Sequence, residues 1–467
     1  MNGPPITSPS IPEKTGMNEL PAAFLDEMEK MLGSDFPAFL KTYGEEPCRA
    51  LRTRSGLLPA EAGKPVPWYK GGVYLPQDSA AGAGILHEAG AWYLQEASAM
   101  IPASVLPLET GDRVLDLCAA PGGKTTQLAE RMRDGLLVAN EIVPSRAEIL
   151  SSNAERMGCR NTVVTSADPA LLAEKWPGFF DKILVDAPCS GEGMFRRHPE
   201  TREEWTPASP AMCAKRQMEI LRCAYRMLRP GGMMVYSTCT FNRLENEEVL
   251  ARLTEEYPDM EPVSFPLPGI GEISCGYTHI FPHLVRGEGH FVALLKKQEN
   301  ASGARPAEER CGKAKKARRG DASVPDIQPL SREQQSLWEA FEKACLGEEI
   351  TADGLFMGRA VHLPARPLPP LKGIRVLRCG IHLGEFRGRV FIPDHALSHA
   401  VLFGRRVDLT GEQAEMYARG ESFAVNAPFT GFCAAVYKGL QLGLGKMTDG
   451  MLKNHYPKGL RKSLNAD

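Results

Sequence analysis

Apolar Phe24, Met28, Leu32 and Phe36 recur every four residues between positions 21 and 43, the period of one face of a helix. From about Arg113 to Lys297 the pattern changes to short apolar runs at 114–117, 137–140, 162–165, 183–185 and 233–236, separated by helical stretches. Such alternation predicts an α/β domain built on a mostly parallel sheet with helices on both faces, closed by a late strand at 291–295. Thr206 and Pro207 read as an N-cap and first-turn proline for a helix running toward Leu228, which Arg229-Pro230-Gly231-Gly232 ends. From Gln298 to about Ser331 the chain turns polar and crowds Lys313, Lys315, Lys316, Arg318 and Arg319 together, as a solvated linker does. The expected divisions are a disordered start at 1–16, a helical region at 17–105 with a packing or RNA-contacting role, the α/β domain at 106–297 and the linker at 298–332. An intermediate domain at 333–400 and a small final domain at 401–467 complete the chain.

Composition narrows the class. A chain of 467 residues, 43% hydrophobic and 24% charged, suits a soluble protein of roughly three domains. No stretch is apolar enough to cross a bilayer and the first residues lack a signal peptide's apolar run, so a cytoplasmic protein without a membrane partner is expected. Twelve cysteines without a C-x-x-C pair predict free thiols and no metal site. A net charge of −2 gives no global attraction to nucleic acid. Any RNA contact must then come from local groups such as Arg196, Arg197 and His198, or from Lys446, Lys453, Lys458, Arg461 and Lys462 with Tyr456 among them. A solvated surface explains the same charges.

The strand at 114–117 runs into Cys118-Ala119-Ala120-Pro121-Gly122-Gly123-Lys124-Thr125-Thr126, a glycine-rich turn that opens a helix. Glycines let a ligand approach the backbone, and the helix start offers unpaired N–H donors. A P-loop would need a glycine where Cys118 stands. Glu141 ends the second strand, where ribose hydroxyls find an acceptor; Asp168 ends the third, within reach of an adenine amine; Asp186 ends the fourth. Without a pyrophosphate-type G-x-G-x-x-G, this set favours S-adenosylmethionine over a dinucleotide.

Cys189, in Asp186-Ala187-Pro188-Cys189-Ser190-Gly191, and Cys239, in Ser237-Thr238-Cys239-Thr240, both follow strands whose ends face that crevice. Carbon 5 of cytosine is a poor nucleophile until a thiolate adds to carbon 6, a step that demands a cysteine. Cys239 is the expected nucleophile and Cys189 its partner in release. Asp186 is placed to protonate or hydrogen-bond ring nitrogen 3, and Lys124 to orient Asp186 or polarise the base. Cys118, Cys159, Cys213 and Cys223 read as packing thiols. An adenine-amino methyltransferase would carry an Asn/Asp-Pro-Pro-aromatic loop after the fourth strand, and Pro188-Cys189 departs from it.

These three motifs, in this order, resemble the Sun/Nop-type RNA cytosine-5 methyltransferases, and the resemblance covers the catalytic domain and its Gln95-Glu96-Ala97-Ser98 lead-in. It implies a Rossmann-like class I methyltransferase fold, Cys239 as nucleophile, Cys189 as release cysteine, and cofactor contacts from Cys118, Ala119, Ala120, Pro121, Gly122, Gly123, Lys124, Glu141, Asp168 and Asp186. Gly193-Met194-Phe195-Arg196-Arg197 and the stretch from Lys453 to Arg461 are similar to the RsmF-type members. That likeness implies a PUA-like C-terminal domain and small-subunit ribosomal RNA, free or in an assembling particle, as the partner of a monomeric enzyme. Transfer RNA as substrate and a non-catalytic ribosome-assembly factor are the competing expectations.

Overall fold

The computed structural model describes residues 20–132, 134–299, 328–350, 355–357, 359–364, 367–464 and 466. The expected disordered start, most of the linker and its basic cluster lie outside them. Among the described residues, nine strands form the central sheet. Eight of them are β1 (Arg113–Asp116), β2 (Leu136–Asn140), β3 (Thr162–Ser166), β4 (Phe180–Asp186), β5 (Leu228–Thr238), β6 (Tyr277–Ile280), β7 (His290–Lys297) and β8 (Arg375–Cys379). The spatial order is β6-β7-β5-β4-β1-β2-β3-β8. Strands β1 to β5 run parallel; β6, β7 and β8 pair antiparallel with their neighbours. Because the chain steps from β1 through β2 to β3 and then returns to β4 on the other side of β1, the strand order reverses there. In an open α/β sheet the crevice outside that reversal is where ligands bind.

The alternation of apolar runs is explained by burial on both faces: Leu115, Val138, Val163, Ile183 and Met234 lie in one fully enclosed core, and Val114, Leu137, Leu184 and Val235 in another. Two expectations need correction. The helix after the Cys189 loop spans Ser209–Met227 and takes Pro210, not Pro207, into its first turn, because the Thr206 N–H is already satisfied by the Ser209 hydroxyl. The central sheet also does not end at 297. Strand β8, from the C-terminal part of the chain, adds to the open edge of β3 and brings Cys379, with Ile374 just before the strand, into its core, covering hydrogen-bonding groups that an exposed edge would leave unpaired.

The 21–43 periodicity resolves into two helices, Ala22–Leu32 and Phe36–Thr42, separated by a single 3₁₀ turn. Their apolar faces bury Phe24 and Phe39 against Phe195 and Phe241, with ring centroids 5.1 and 5.4 Å apart. Phe195 follows the Cys189 motif and Phe241 follows Cys239, so the N-terminal helices brace both thiol loops from outside. Part of the remaining N-terminal region shares a core with the final domain, where Leu51, Ile85 and Trp92 meet Tyr417, Cys433 and Leu452, and part, including Ala50 and Trp68, packs on the central sheet. Among the described residues no helix is long and apolar enough to cross a membrane.

Candidate active site

The loop after β1 is shaped by Gly122, whose φ of +112° is a backbone conformation that L side chains rarely adopt and whose missing Cβ leaves room for Leu150 3.2 Å away. The helix Gly123–Arg131 follows. Its first turn is held by Arg52, a fully buried guanidinium from the N-terminal region that donates to the Gly123 carbonyl at 3.1 Å, the Thr126 hydroxyl at 2.6 Å, Glu130 at 2.6 Å and Gln95 at 3.1 Å. Of the two roles open to the N-terminal region, packing is the one Arg52 performs.

Around the crevice the strand-end acids are differently engaged. The Glu141 carboxylate accepts from the Val143 N–H at 3.0 Å and lies 3.3 Å from Arg146. Asp168 caps the helix Pro169–Lys175 by accepting from the Ala170 N–H at 2.9 Å. Asp186 holds Lys124 at 2.8 Å on Oδ2 and accepts from the Ser237 hydroxyl at 2.8 Å on Oδ1. Burial alone would raise the Asp186 pKa; the Lys124 ammonium overrides it, with help from His290, and holds the carboxyl well below the usual range. Lys124 is correspondingly held above its ordinary value, its own burial being outweighed by Asp186. Beside Lys124 the Asp186 carboxyl favours its anionic form, so of the two roles expected of it at the base these contacts favour accepting a hydrogen bond over bringing a proton.

Asp116, at the end of β1, was not singled out by sequence. It is fully buried, accepts from the Thr125 hydroxyl at 2.6 Å, and burial pushes its pKa up to about 7. An acid with a raised folded-state pKa stabilises the fold below its unfolded value near 3.8 and loses that contribution as pH climbs through about 7. Asp116→Asn should accordingly gain melting temperature relative to wild type at pH 8 compared with pH 5. A difference that does not change with pH would remove the buried neutral acid.

The two thiol loops meet. Sγ of Cys189 lies 3.2 Å from Sγ of Cys239. The contact with Cys239, and then burial, push the Cys189 thiol far up, so Cys189 keeps its proton, and either sulfur can be the donor across the contact. Beneath them is a polar network that no local motif announced. Glu245 accepts from the Ser190 N–H at 3.0 Å, from its hydroxyl, from Gln217 at 2.8 Å and from Asn242 at 2.7 Å. Glu192 accepts from the N–H groups of Phe241 and Asn242 at 2.9 and 3.0 Å. The Gly193 N–H donates to the Cys239 carbonyl at 2.8 Å, and a Cβ on Gly193 would stand 2.9 Å from that oxygen. Two loops 50 residues apart are thus clamped at one separation.

One cavity of about 660 Å³ is lined by Cys118, Ala120, Glu141, Asp168, Asp186, Cys189 and Cys239 together. Sequence reasoning missed its apolar wall. Ile142 and Val143 stay 54% and 41% exposed beside Glu141, on the side where a flat ring could lie. The cavity has a carboxylate at each of three strand ends and an apolar ledge, a donor set that fits S-adenosylmethionine. The described cysteines are free thiols.

The proposed RNA contacts do not gather. Arg196 is corrected outright. Its guanidinium is spent on Glu288 at 2.7 and 2.9 Å and on the carbonyls of Thr42 and Gly287, with the side chain 10% exposed. Removing it would leave the Glu288 charge buried with the Cys48 N–H but no cation beside it, which costs on the order of 3 kcal/mol. Arg196→Ala should therefore lower the denaturant midpoint sharply; unchanged stability with weakened RNA binding would overturn this. Arg197 is half-buried and His198 exposed beside Glu200 at 3.0 Å. In the final domain Lys453 and Lys458 are exposed, while Arg461 donates to the Tyr456 carbonyl at 3.1 Å. Tyr456, expected as a stacking platform, is buried against His395 and Tyr417.

A doubly wound sheet of this order, with acids at successive strand ends lining one crevice, defines a class I methyltransferase. A solved methyltransferase homologue from Pyrococcus horikoshii superposes with a TM-score of 0.50 at 29% identity, covering 59% of this chain and 94% of that one. The family model described as 16S rRNA methyltransferase RsmB/F matches residues 103–296; models for the RsmF N-terminal domain, first C-terminal domain and PUA domain match 20–97, 340–401 and 405–462. The ribosomal RNA small subunit methyltransferase F of Erwinia tasmaniensis is 32% identical over 473 residues, covering 94% of this chain and 96% of the relative. That of Aliivibrio fischeri is 34% identical over 418 residues, covering 85% of each. The chain belongs to the ribosomal RNA small subunit methyltransferase F family.

Proposed function

We propose that this enzyme methylates carbon 5 of a cytosine in small-subunit ribosomal RNA through a transient bond between Cys239 and carbon 6. The observation that carries the reading is the pair of sulfur atoms 3.2 Å apart in the cavity that the strand-end acids also line.

The glycine-rich loop from Cys118 to Lys124, Glu141, Asp168 and the Ile142–Val143 ledge would hold S-adenosylmethionine, with Glu141 toward the ribose and Asp168 toward the adenine amine. Bound there, S-adenosylmethionine supplies the electrophilic methyl group. Cys239 attacks as thiolate, the nucleophilic form of sulfur; the Cys189 S–H and the Lys124 ammonium, which feels the charge of Cys239, stand beside it. Asp186 accepts from the cytosine exocyclic amine and fixes the ring against Lys124. Once carbon 5 carries the methyl, its proton must leave to water so that Cys239 departs as thiolate, and the Cys189 S–H is the group at hand to hydrogen-bond that departing sulfur. Arg197, Lys453 and Lys458 contribute phosphate contacts.

The test is methyl transfer from labelled donor to small-subunit ribosomal RNA, naked and in assembled particles, followed by bisulfite mapping. One or more newly resistant cytosines are expected. Label recovered only in transfer RNA, or at a position other than carbon 5, would overturn the proposal.

A further inference from the structure

His290 opens β7 and reaches the catalytic carboxylate from the side opposite Lys124. Its side chain is 4% exposed. Nδ1 lies 3.1 Å from the Gly289 carbonyl, which can only accept, so Nδ1 carries a hydrogen. Nε2 lies 3.5 Å from Asp186 Oδ1 and, among the described residues, is a buried nitrogen without a hydrogen-bond partner. A neutral ring protonated on Nδ1 would turn its Nε2 lone pair toward a carboxylate anion. The arrangement is favourable when Nε2 also carries a proton, and that proton then points at Asp186.

We propose that His290 is the proton store of the active site, passing the Nε2 proton through Asp186 to ring nitrogen 3 of the cytosine during thiolate addition. The inference rests on the covalent route proposed above and supplies what that route lacks, since Asp186 by itself has no proton to give. As the Cys239–carbon 6 bond forms, the electron pair displaced from the ring is captured by a new N–H bond at nitrogen 3. His290 hands its Nε2 proton to Asp186 as Asp186 passes one proton on to nitrogen 3, so Asp186 ends the step as the carboxylate it began as. On elimination the nitrogen 3 proton returns by the same path to His290, and the net proton released over the cycle is the one that leaves carbon 5. Asp186 on β4, Lys124 on the helix after β1, Asp116 on β1 and Cys239 after β5 are the titratable groups facing this cluster. Glu288, two residues before His290, is engaged with Arg196 instead. His290 acts through Asp186 and is thus a positioning residue and proton reservoir.

The test compares single-turnover methyl transfer against pH for wild type, His290→Phe and His290→Gln, with cofactor affinity and RNA KM measured alongside. His290→Phe should slow transfer by about 10²-fold or more at neutral pH, the range of a lost proton-transfer group. RNA KM and cofactor affinity should stay near wild type, with the loss confined to the transfer step. His290→Gln can hydrogen-bond but cannot titrate, so it should behave like His290→Phe. A wild-type rate and profile in His290→Gln would reduce His290 to a structural prop and overturn the proposal, as would an unchanged His290→Phe. Failure of the thiol route itself would show separately, as absence of a Cys189→Ala adduct in protein that retains His290.

Discussion

Replacing Cys239 by alanine is expected to abolish methyl transfer, by about 10⁴-fold or more, since removal of a nucleophile leaves only binding and electrostatic contributions. Cofactor affinity should be nearly unchanged. Cys239 sits at the thiol end of the cavity, whereas Glu141, Asp168 and the Gly122 loop, which would hold the cofactor, are anchored through Val143, Ala170 and Arg52. The fold should also survive. Cys239 is not fully enclosed, and the clamp between the loops runs through Glu245, Glu192 and the main chain around it. Single-turnover kinetics and calorimetric titration with S-adenosylmethionine check both halves. Appreciable turnover would refute the nucleophile; lost cofactor binding would mean that the thiol holds the pocket together.

Cys189→Ala should do the opposite and accumulate a covalent enzyme–RNA species. Cys239 can still add to carbon 6 and carbon 5 can still be methylated, but the S–H group 3.2 Å from the attacking sulfur is gone. Elimination then stalls, and a slow-migrating band should persist in a denaturing gel, disappearing when Cys239→Ala is added. The band should require both RNA and methyl donor to reach full intensity. An active cofactor site without any band, or a band that survives loss of Cys239, would defeat the two-thiol scheme. Because Cys189 retains its proton in the resting site, its removal also takes a hydrogen-bond donor from Cys239, so adduct formation in the variant should be slower than in wild type.

How far these arguments were legible in the chain depends on how local each feature is. Strands β1 to β5 could be read because their residues are buried on both faces and so form continuous apolar runs. The two cysteine motifs could be read because each is a short string at the end of such a strand. Strand β8 could not: Arg375-Val376-Leu377-Arg378-Cys379 has no such run, and only the open edge of β3, 200 residues earlier, makes a strand of it. Arg196 and Tyr456 misled for a related reason. A guanidinium or a phenol has the same composition whether it faces RNA or the core, and Glu288 and His395, which claim them, are far along the chain.

Sequence by itself determined that the chain makes a doubly wound sheet and carries a cofactor turn and two strand-end thiols, because backbone periodicity and the chemistry of short loops are local properties. Only the tertiary structure decided that the thiols touch, that Lys124 lies 2.8 Å from Asp186, and that His290 faces the same carboxylate. Distances between residues tens to hundreds of positions apart, and the charge states those distances impose in a buried site, are set by packing.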